Sequence, residues 1–302
     1  RIREFFCRCW MLHLMVLPGL LYFLVFKYVP MYGLTIAFKN YKGAVGGVSA
    51  IFNAPNVGLK NFETFFTSTQ FTRLLRNTLT LSFLRLIFVF PAPIILAILL
   101  NEVRIRWFKK TVQTITYMPY FLSWVVVAGL IRILFGTEGP VNALLEKLNF
   151  ESVYFMTSLK YFRALLIGSE VWKTIGYGTI VYLAAITSVD VEQYEAAQLD
   201  GANKLQQILH VTLPAISEII AIMLILQMGK ILGDNFEQIY TMYSEAVYEI
   251  VDVFDTYIYR TGIVGSNFSY TSAITLFKSV VSLILILLTN KAAKKLGSEG
   301  LF

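Results

Sequence analysis

Long apolar runs alternate with short polar connections along almost the whole chain. Six runs, 11–38, 77–100, 111–135, 164–186, 215–234 and 271–290, approach or exceed the length that crosses a bilayer as helix, which takes about 20 mostly apolar residues. An even number of crossings leaves both termini on one side. Between the fourth and fifth runs lies the one polar island, residues 188–214. Its pattern predicts two short helices folded about a glycine. Asp190 can cap the first, with Gln193 three residues on. Gly201 stands where a helix stops in a left-handed residue. Asn203 can cap the second, with Gln206 following. Leu205, Ile208 and Leu209 then form an apolar stripe, and Pro214 opens the next segment. Such a knuckle presents a shaped surface outside the membrane, which is the character of a docking element rather than an active site.

Composition agrees with an all-α, polytopic membrane protein. Of the 302 residues 56% are hydrophobic and only 15% charged, with a mean hydropathy of +0.63; a soluble domain carries about a quarter charged residues. The net charge of +7 follows from basic residues flanking spans and calls for no nucleic acid. Cys7 and Cys9 precede the first run, and their spacing suits neither a disulfide nor a four-ligand zinc site, so unpaired thiols are expected. The sequence begins at Arg1, which leads us to expect a native segment before it. The first apolar run is too long for a cleavable signal peptide and has no cleavage site.

Basic residues also orient the chain. Their numbers on the two sides are close, but Arg104, Arg106, Lys109 and Lys110 crowd a short stretch against span ends, where the positive-inside rule acts. The termini and the knuckle are therefore expected in the cytoplasm. The outer loops are then long and aromatic. The first, 38–76, contains Gly43, Gly46, Gly47 and Pro55. The second, 136–163, has a helical pattern at Val141–Leu148. The third, 235–270, carries Glu237, Glu245, Glu249, Asp252, Asp255 and many tyrosines. Interfacial tyrosines and local packing account for this pattern; contact with a partner is the sharper alternative.

Several kinds of chemistry are missing from the sequence. It has no G-x-x-x-x-G-K-[ST] phosphate loop, no G-x-S-x-G and no H-E-x-x-H. His13 and His210 stand alone, without a second imidazole at metal-ligand spacing. A hydrolytic enzyme is not expected.

The knuckle resembles the EAA signature of the inner-membrane permease subunits of binding-protein-dependent ABC importers. That pattern is met by Glu195, Ala196, Ala197, Gly201, Val211, Leu213 and Pro214, with Asp200-Gly201-Ala202 giving the variant typical of sugar permeases. Val211, where isoleucine is common, is the one departure. Further patches extend the resemblance over nearly the whole chain. Gly58-Leu59-Lys60-Asn61-Phe62, Phe71 and Asn77-Thr78 look like the approach to the second span in carbohydrate permeases. Gly139-Pro140-Val141-Asn142 is similar to the turn after their third. The first span, from Leu17-Pro18-Gly19 to Ile36-Ala37-Phe38, looks like a branch serving complex oligosaccharides and polysaccharides, the alginate importer's permease subunits among them.

This resemblance implies a six-helix, type I importer permease in a bacterial inner membrane, with the knuckle as coupling helix. It implies a second, non-identical permease, two ATPase subunits and an outer solute-binding protein that delivers the carbohydrate. ATP and magnesium would be bound by the ATPase, and no cofactor by this chain. Glu195 would offer a carboxylate to a basic or amide group of the ATPase, Ala196 and Ala197 would let backbones approach closely, and Gly201 would supply the turn.

Ionisable groups inside spans are costly and face cavities or partners. Glu170 and Lys173 share a helix face and can pair. Glu218, Gln227, Lys230 and Asp234 follow on the fifth run, where Gly229 and Gly233 permit close helix contact, and Lys278 lies in the sixth. Snorkelling and internal pairs account for such groups without a role in transport. The alternative is a path biased towards an anionic sugar, lined in part by Lys173, Gln227, Lys230 and Asn235. Two other functions compete. A self-sufficient secondary transporter or channel would show repeats and mid-membrane ion-coupling carboxylates, and leaves the knuckle unexplained. The same permease class with a peptide or phosphate cargo is opposed by the sugar-type patches.

Overall fold

The computed structural model describes residues 10–41, 47–233 and 235–295; Arg1, Cys7, Cys9, Gly43, Gly46 and Asp234, singled out above, lie outside the described residues. Among the described residues the chain is helical, with no β-strand. In chain order the principal helices are α1 (Trp10–Phe38), α2 (Lys60–Phe66), α3 (Thr69–Glu102), α4 (Arg106–Tyr117), α5 (Trp124–Phe135), α6 (Pro140–Lys147) and α7 (Phe162–Thr187). There follow α8 (Val191–Leu199), α9 (Lys204–Ala215), α10 (Ser217–Lys230), α11 (Phe236–Met242), α12 (Tyr248–Val251) and α13 (Phe268–Lys295). Four stretches, α1, α3, Trp124–Lys147 and α13, are long and apolar enough to cross a membrane. Two bent pairs, α7 with α8 at 70° and α9 with α10 at 63°, bring the number to six if each is one span.

Proline shapes these helices in two ways. The apolar run 111–135 is divided, because Pro119 lies in a tight turn at Met118–Phe121 and α5 restarts only at Trp124. Met118 stays helical and its N–H still donates to Thr114 O; the N–H missing at Pro119 removes the next rung, the helix tightens, and the chain turns extended only at Leu122. At three other positions proline is absorbed by a wide π-turn. Leu24–Tyr28 precedes Pro30, Arg85–Val89 precedes Pro91, and Ile208–Thr212 precedes Pro214. In each case the residue just before the proline reaches back five positions: Val29 to Leu24, Phe90 to Arg85 and Leu213 to Ile208. A proline ring collides with the carbonyl four residues back, and widening the turn moves that carbonyl aside without breaking the helix.

The chain forms two compact units, one of residues up to Ser68 with Tyr257–Phe277, the other of Thr69–Thr256 with residues from Lys278. In the first, Phe65 is fully buried against the rings of Tyr270 and Phe277, with centroids 6.2 and 6.0 Å away. Asn61 Nδ2 donates to the carbonyls of Ala37 (2.8 Å) and Lys39 (3.1 Å). From Trp10 to Met31, α1 exposes apolar side chains all round.

In the second unit α7 is the central helix. Phe162, Leu165 and Leu166 pack with Leu81, Val127, Ile131, Ile239 and Val251. Tyr182, Leu183 and Ile186 pack with Ile94, Ala97 and Ile216. Two fully buried asparagines staple the connections. Asn77 donates to the carbonyls of Glu249 (2.9 Å) and Asp252 (3.2 Å). Asn142 donates to those of Gly136 and Val153 and accepts the Val153 N–H. All three asparagines belong to the sugar-permease patches, so those patches are loop staples. Of the G-x-x-x-G, Gly229 makes a close approach, since a Cβ there would meet Ile286 Cδ1 of α13 at 3.0 Å, whereas Gly233 lies in a turn beyond the end of α10 and does not extend that helix face.

Gly176 is where α7 meets α4 most tightly, since an added Cβ would lie 2.2 Å from the backbone oxygen of Thr116. Gly168, one face away on the same helix, has nothing within 4 Å. Gly176→Ala is expected to destabilise the protein by about 1–3 kcal/mol through overpacking against backbone. Gly168→Ala is expected to leave stability unchanged or raise it slightly, because alanine is the better helix former. Thermal unfolding in detergent, followed by size-exclusion chromatography, compares the two.

Candidate functional site

The residues that the sequence groups at the polar island do come together, on one exposed knuckle. Asp190 caps α8 by accepting the Glu192 N–H at 3.0 Å. The helix ends in a complete Schellman closure: Gly201 takes φ +82°, its N–H reaches Gln198 O at 3.0 Å, and the Ala202 N–H reaches Ala197 O at 2.9 Å. Glycine suits that left-handed position because it carries no Cβ. Asn203 and Gln206 then form a reciprocal capping box at the start of α9, with bonds of 2.8 and 2.9 Å. Tyr194 Oη and Thr212 Oγ1, 3.0 Å apart, tie the two short helices, and buried Gln207 donates to Ala202 O. An ion pair of Lys204 with Glu102, at 3.0 Å, links the knuckle to the end of α3.

This scaffold leaves Glu195, Ala196, Asp200, Gly201 and Pro214 exposed, with Ala197, Val211 and Leu213 half-buried. Leu213 packs into the α3–α7 core and so anchors the far end. Leu199, which the sequence reading passed over, is 90% exposed at the tip, and Leu205 of the apolar stripe is 64% exposed. The signal for Leu199 was available: it is the last residue before the Asp200-Gly201 turn, where no neighbouring segment can cover it. The surface thus combines the carboxylates of Glu195 and Asp200 with small residues and bare leucines, and exposed apolar patches rimmed by polar groups are the character of docking surfaces.

A second polar site lies inside the second unit. Glu170 of α7 is 4% exposed and Arg85 of α3 is 6% exposed. Arg85 Nε donates to Glu170 Oε2 at 2.8 Å, and Asn235 Nδ2 donates to Oε1 at 2.5 Å. Asn235 holds φ +73°, a left-handed conformation that asparagine tolerates better than most residues. Ser82, on the turn before Arg85, donates to Ile231 O at 2.5 Å. Glu170 and Lys173, which share a face and were expected to be able to pair, have different partners. Lys173 Nζ donates to Tyr120 O at 2.7 Å and lies over the rings of Tyr120 and Trp124.

Of the four residues expected on a path, Gln227 and Asn235 line one cavity of about 330 Å³, together with Glu170, Tyr120 and Tyr177. The two tyrosine rings are stacked, 3.9 Å between centroids and 6° between planes. Lys230 lines a neighbouring space of about 10 Å³ with Arg85, Ser82 and, again, Gln227. Lys173 is absent from both walls and stands behind Tyr120. Sequence reasoning missed Arg85, Tyr120 and Tyr177. An arginine inside an apolar run was the visible signal for the first; the tyrosines carried none.

Removing one member of a buried ion pair strands the other. Arg85→Leu is expected to cost about 3–5 kcal/mol, with much of the loss recovered in Arg85→Leu with Glu170→Leu. Thermal midpoints of both variants in the same detergent check this, and equal losses would contradict it.

Comparison with known proteins follows the same lines. Residues 90–297 match the family model described as binding-protein-dependent transport system inner membrane component. The chain is 47% identical, over 96% of its length and 90% of the relative's, to the polygalacturonan/rhamnogalacturonan transport system permease protein YteP of Bacillus subtilis (strain 168). It is 46% identical, over 96% and 91%, to Protein LplB of the same organism. Among solved structures it is similar to a chain of a bacterial ABC transporter involved in import of the acidic polysaccharide alginate, with 42% identity, 98% and 99% coverage and a TM-score of 0.91. It is likewise similar to a chain of the bacterial alginate ABC transporter in complex with alginate pentasaccharide-bound periplasmic protein, with 41% identity, full coverage of both and a TM-score of 0.92. Matched by a family model over most of its length and by relatives nearly half identical throughout, this chain belongs to the binding-protein-dependent transport system inner membrane components, as a multi-pass permease of an ABC transporter.

Proposed function

We propose that the chain forms half of the translocation path of an ATP-driven importer for an acidic oligosaccharide or polysaccharide. The observation that carries this is its full-length likeness, at a TM-score of 0.92, to a chain of an alginate ABC transporter in complex with an alginate pentasaccharide-bound periplasmic protein. The polygalacturonan/rhamnogalacturonan name of a relative that is 47% identical also supports an acidic cargo. In this reading a second, non-identical permease supplies the other half, and an extracytoplasmic solute-binding protein delivers the saccharide. Two ATPase subunits bind ATP and magnesium, while this chain carries no cofactor and no catalytic residue of its own. The density of Arg104, Arg106, Lys109 and Lys110 supports a cytoplasmic knuckle and cytoplasmic termini.

The knuckle is the power input. Glu195 pairs with a basic or amide group of the ATPase, and Ala196 and Ala197 admit its backbone. Asp200 and Gly201 fix the turn at the tip, and Val211, Leu213 and Pro214 pass the movement to α10. Within the membrane, Gln227, Lys230 and Asn235 face the cargo, and Lys173 acts through Tyr120.

Glu195→Arg and Gly201→Asp are expected to lower the yield of co-purifying ATPase, or abolish saccharide-stimulated ATP hydrolysis, in the purified complex. Unchanged stimulation in both variants would refute the coupling assignment. Lys230→Ala and Lys173→Ala are expected to slow saccharide uptake into proteoliposomes; wild-type uptake in both would remove them from the path.

A further inference from the structure

Arg85 makes one bond fewer than its surroundings demand. Its Nε is committed to Glu170, yet its Nη2 is buried with no hydrogen-bond partner among the described residues. An unsatisfied buried guanidinium nitrogen is uncommon and calls for a ligand. The space beside Arg85, about 10 Å³, admits one water-sized group and is also lined by Lys230 and Gln227. Gln227 is common to this space and to the 330 Å³ cavity with the stacked Tyr120 and Tyr177. An aromatic platform, a bridging amide and an incompletely bonded cation thus follow one another along one wall.

Resting on the saccharide reading above, we propose that this wall is a subsite for a single uronate unit of the cargo. The C–H face of the sugar ring lies on the stacked tyrosines, whose π-faces and exposed edges suit a ring that is apolar on its faces and polar at its rim. Gln227 bonds a ring hydroxyl. One carboxylate oxygen enters the small space and accepts from Arg85 Nη2, with Lys230 alongside. Arginine's rigid fork suits this task, since one nitrogen can hold Glu170 while another takes a second carboxylate. Two cations there face one protein carboxylate, Glu170, so an incoming anion completes the charge balance that a low-dielectric site demands. Arg85 is therefore the residue that distinguishes an acidic saccharide from a neutral one, while the tyrosines bind either.

The test uses the assembled importer, with both permeases, the ATPases and the binding protein, in proteoliposomes. Galacturonate and mannuronate trisaccharides are compared with their methyl esters. The same binding protein serves every arm, so its own preference cancels in variant-to-wild-type ratios. Tyr177→Leu is expected to raise KM for acid and ester alike. Arg85→Gln with Glu170→Gln is expected to raise KM for the acid about tenfold more than KM for the ester. Glu170→Gln alone, which leaves Arg85 charged with a neutral hydrogen-bonding partner, is expected to increase the preference for the acid. Lys230→Gln, which keeps the Arg85–Glu170 pair intact, is expected to lower that preference and serves if the pair variants fail to assemble. If these charge variants keep the wild-type acid-to-ester ratio, Arg85 is structural and its free nitrogen is met by a water only, which overturns the proposal. If Tyr177→Leu alters neither KM, the platform is overturned. If the wild-type importer moves neither acid nor ester, the acidic-saccharide reading itself falls and takes this subsite with it.

Discussion

A carboxylate inside an apolar bundle must keep its partners, because a charge left alone there is strongly disfavoured. Glu170 has two, and through them the central helix α7 is joined to α3 by Arg85 and to the segment after α10 by Asn235. Much of the second unit is arranged to satisfy that one group. Ser82 holds the end of α10 from the turn before Arg85. Asn235 accepts a left-handed backbone to bring its amide onto the carboxylate. Lys173, displaced from Glu170, steadies Tyr120 instead.

The knuckle was legible in the sequence because its bonds are local. Asp190, Gly201, Asn203 and Gln206 make contacts within a few residues, and the rules for helix ends are rules about such neighbours. Leu199 was missed although its place just before the Asp200-Gly201 turn, a local feature as well, marked it for the tip. The intramembrane site was legible only in part. Gln227, Lys230 and Asn235 declared themselves as polar residues in or beside apolar runs. Their bonding did not, because Arg85 and Glu170 are 85 positions apart. Helical spacing put Glu170 and Lys173 on one face correctly, but a shared face offers a partner without obliging its use.

Prolines tell a similar story. Pro119 ended a helix, whereas Pro30, Pro91 and Pro214 each sit just beyond a widened turn that lets the helix continue. The residue alone does not choose between those outcomes; the neighbours that hold the helix on either side do. Around Pro91 those neighbours include the Arg85–Glu170 pair, since the wide turn begins at Arg85. The asparagines of the sugar-permease patches were visible as residues, but their role as staples of distant carbonyls needed the fold.

Leu199, with 90% of its surface bare at the end of the knuckle, carries a consequence for the cell that makes the protein. On the coupling role proposed above, a subunit without its ATPase would display an apolar hook in water, and such hooks are what chaperones and proteases take hold of. Unassembled copies would be removed while assembled ones are spared. Balance between the subunits would then be enforced after synthesis, by the same leucine that would complete the joint.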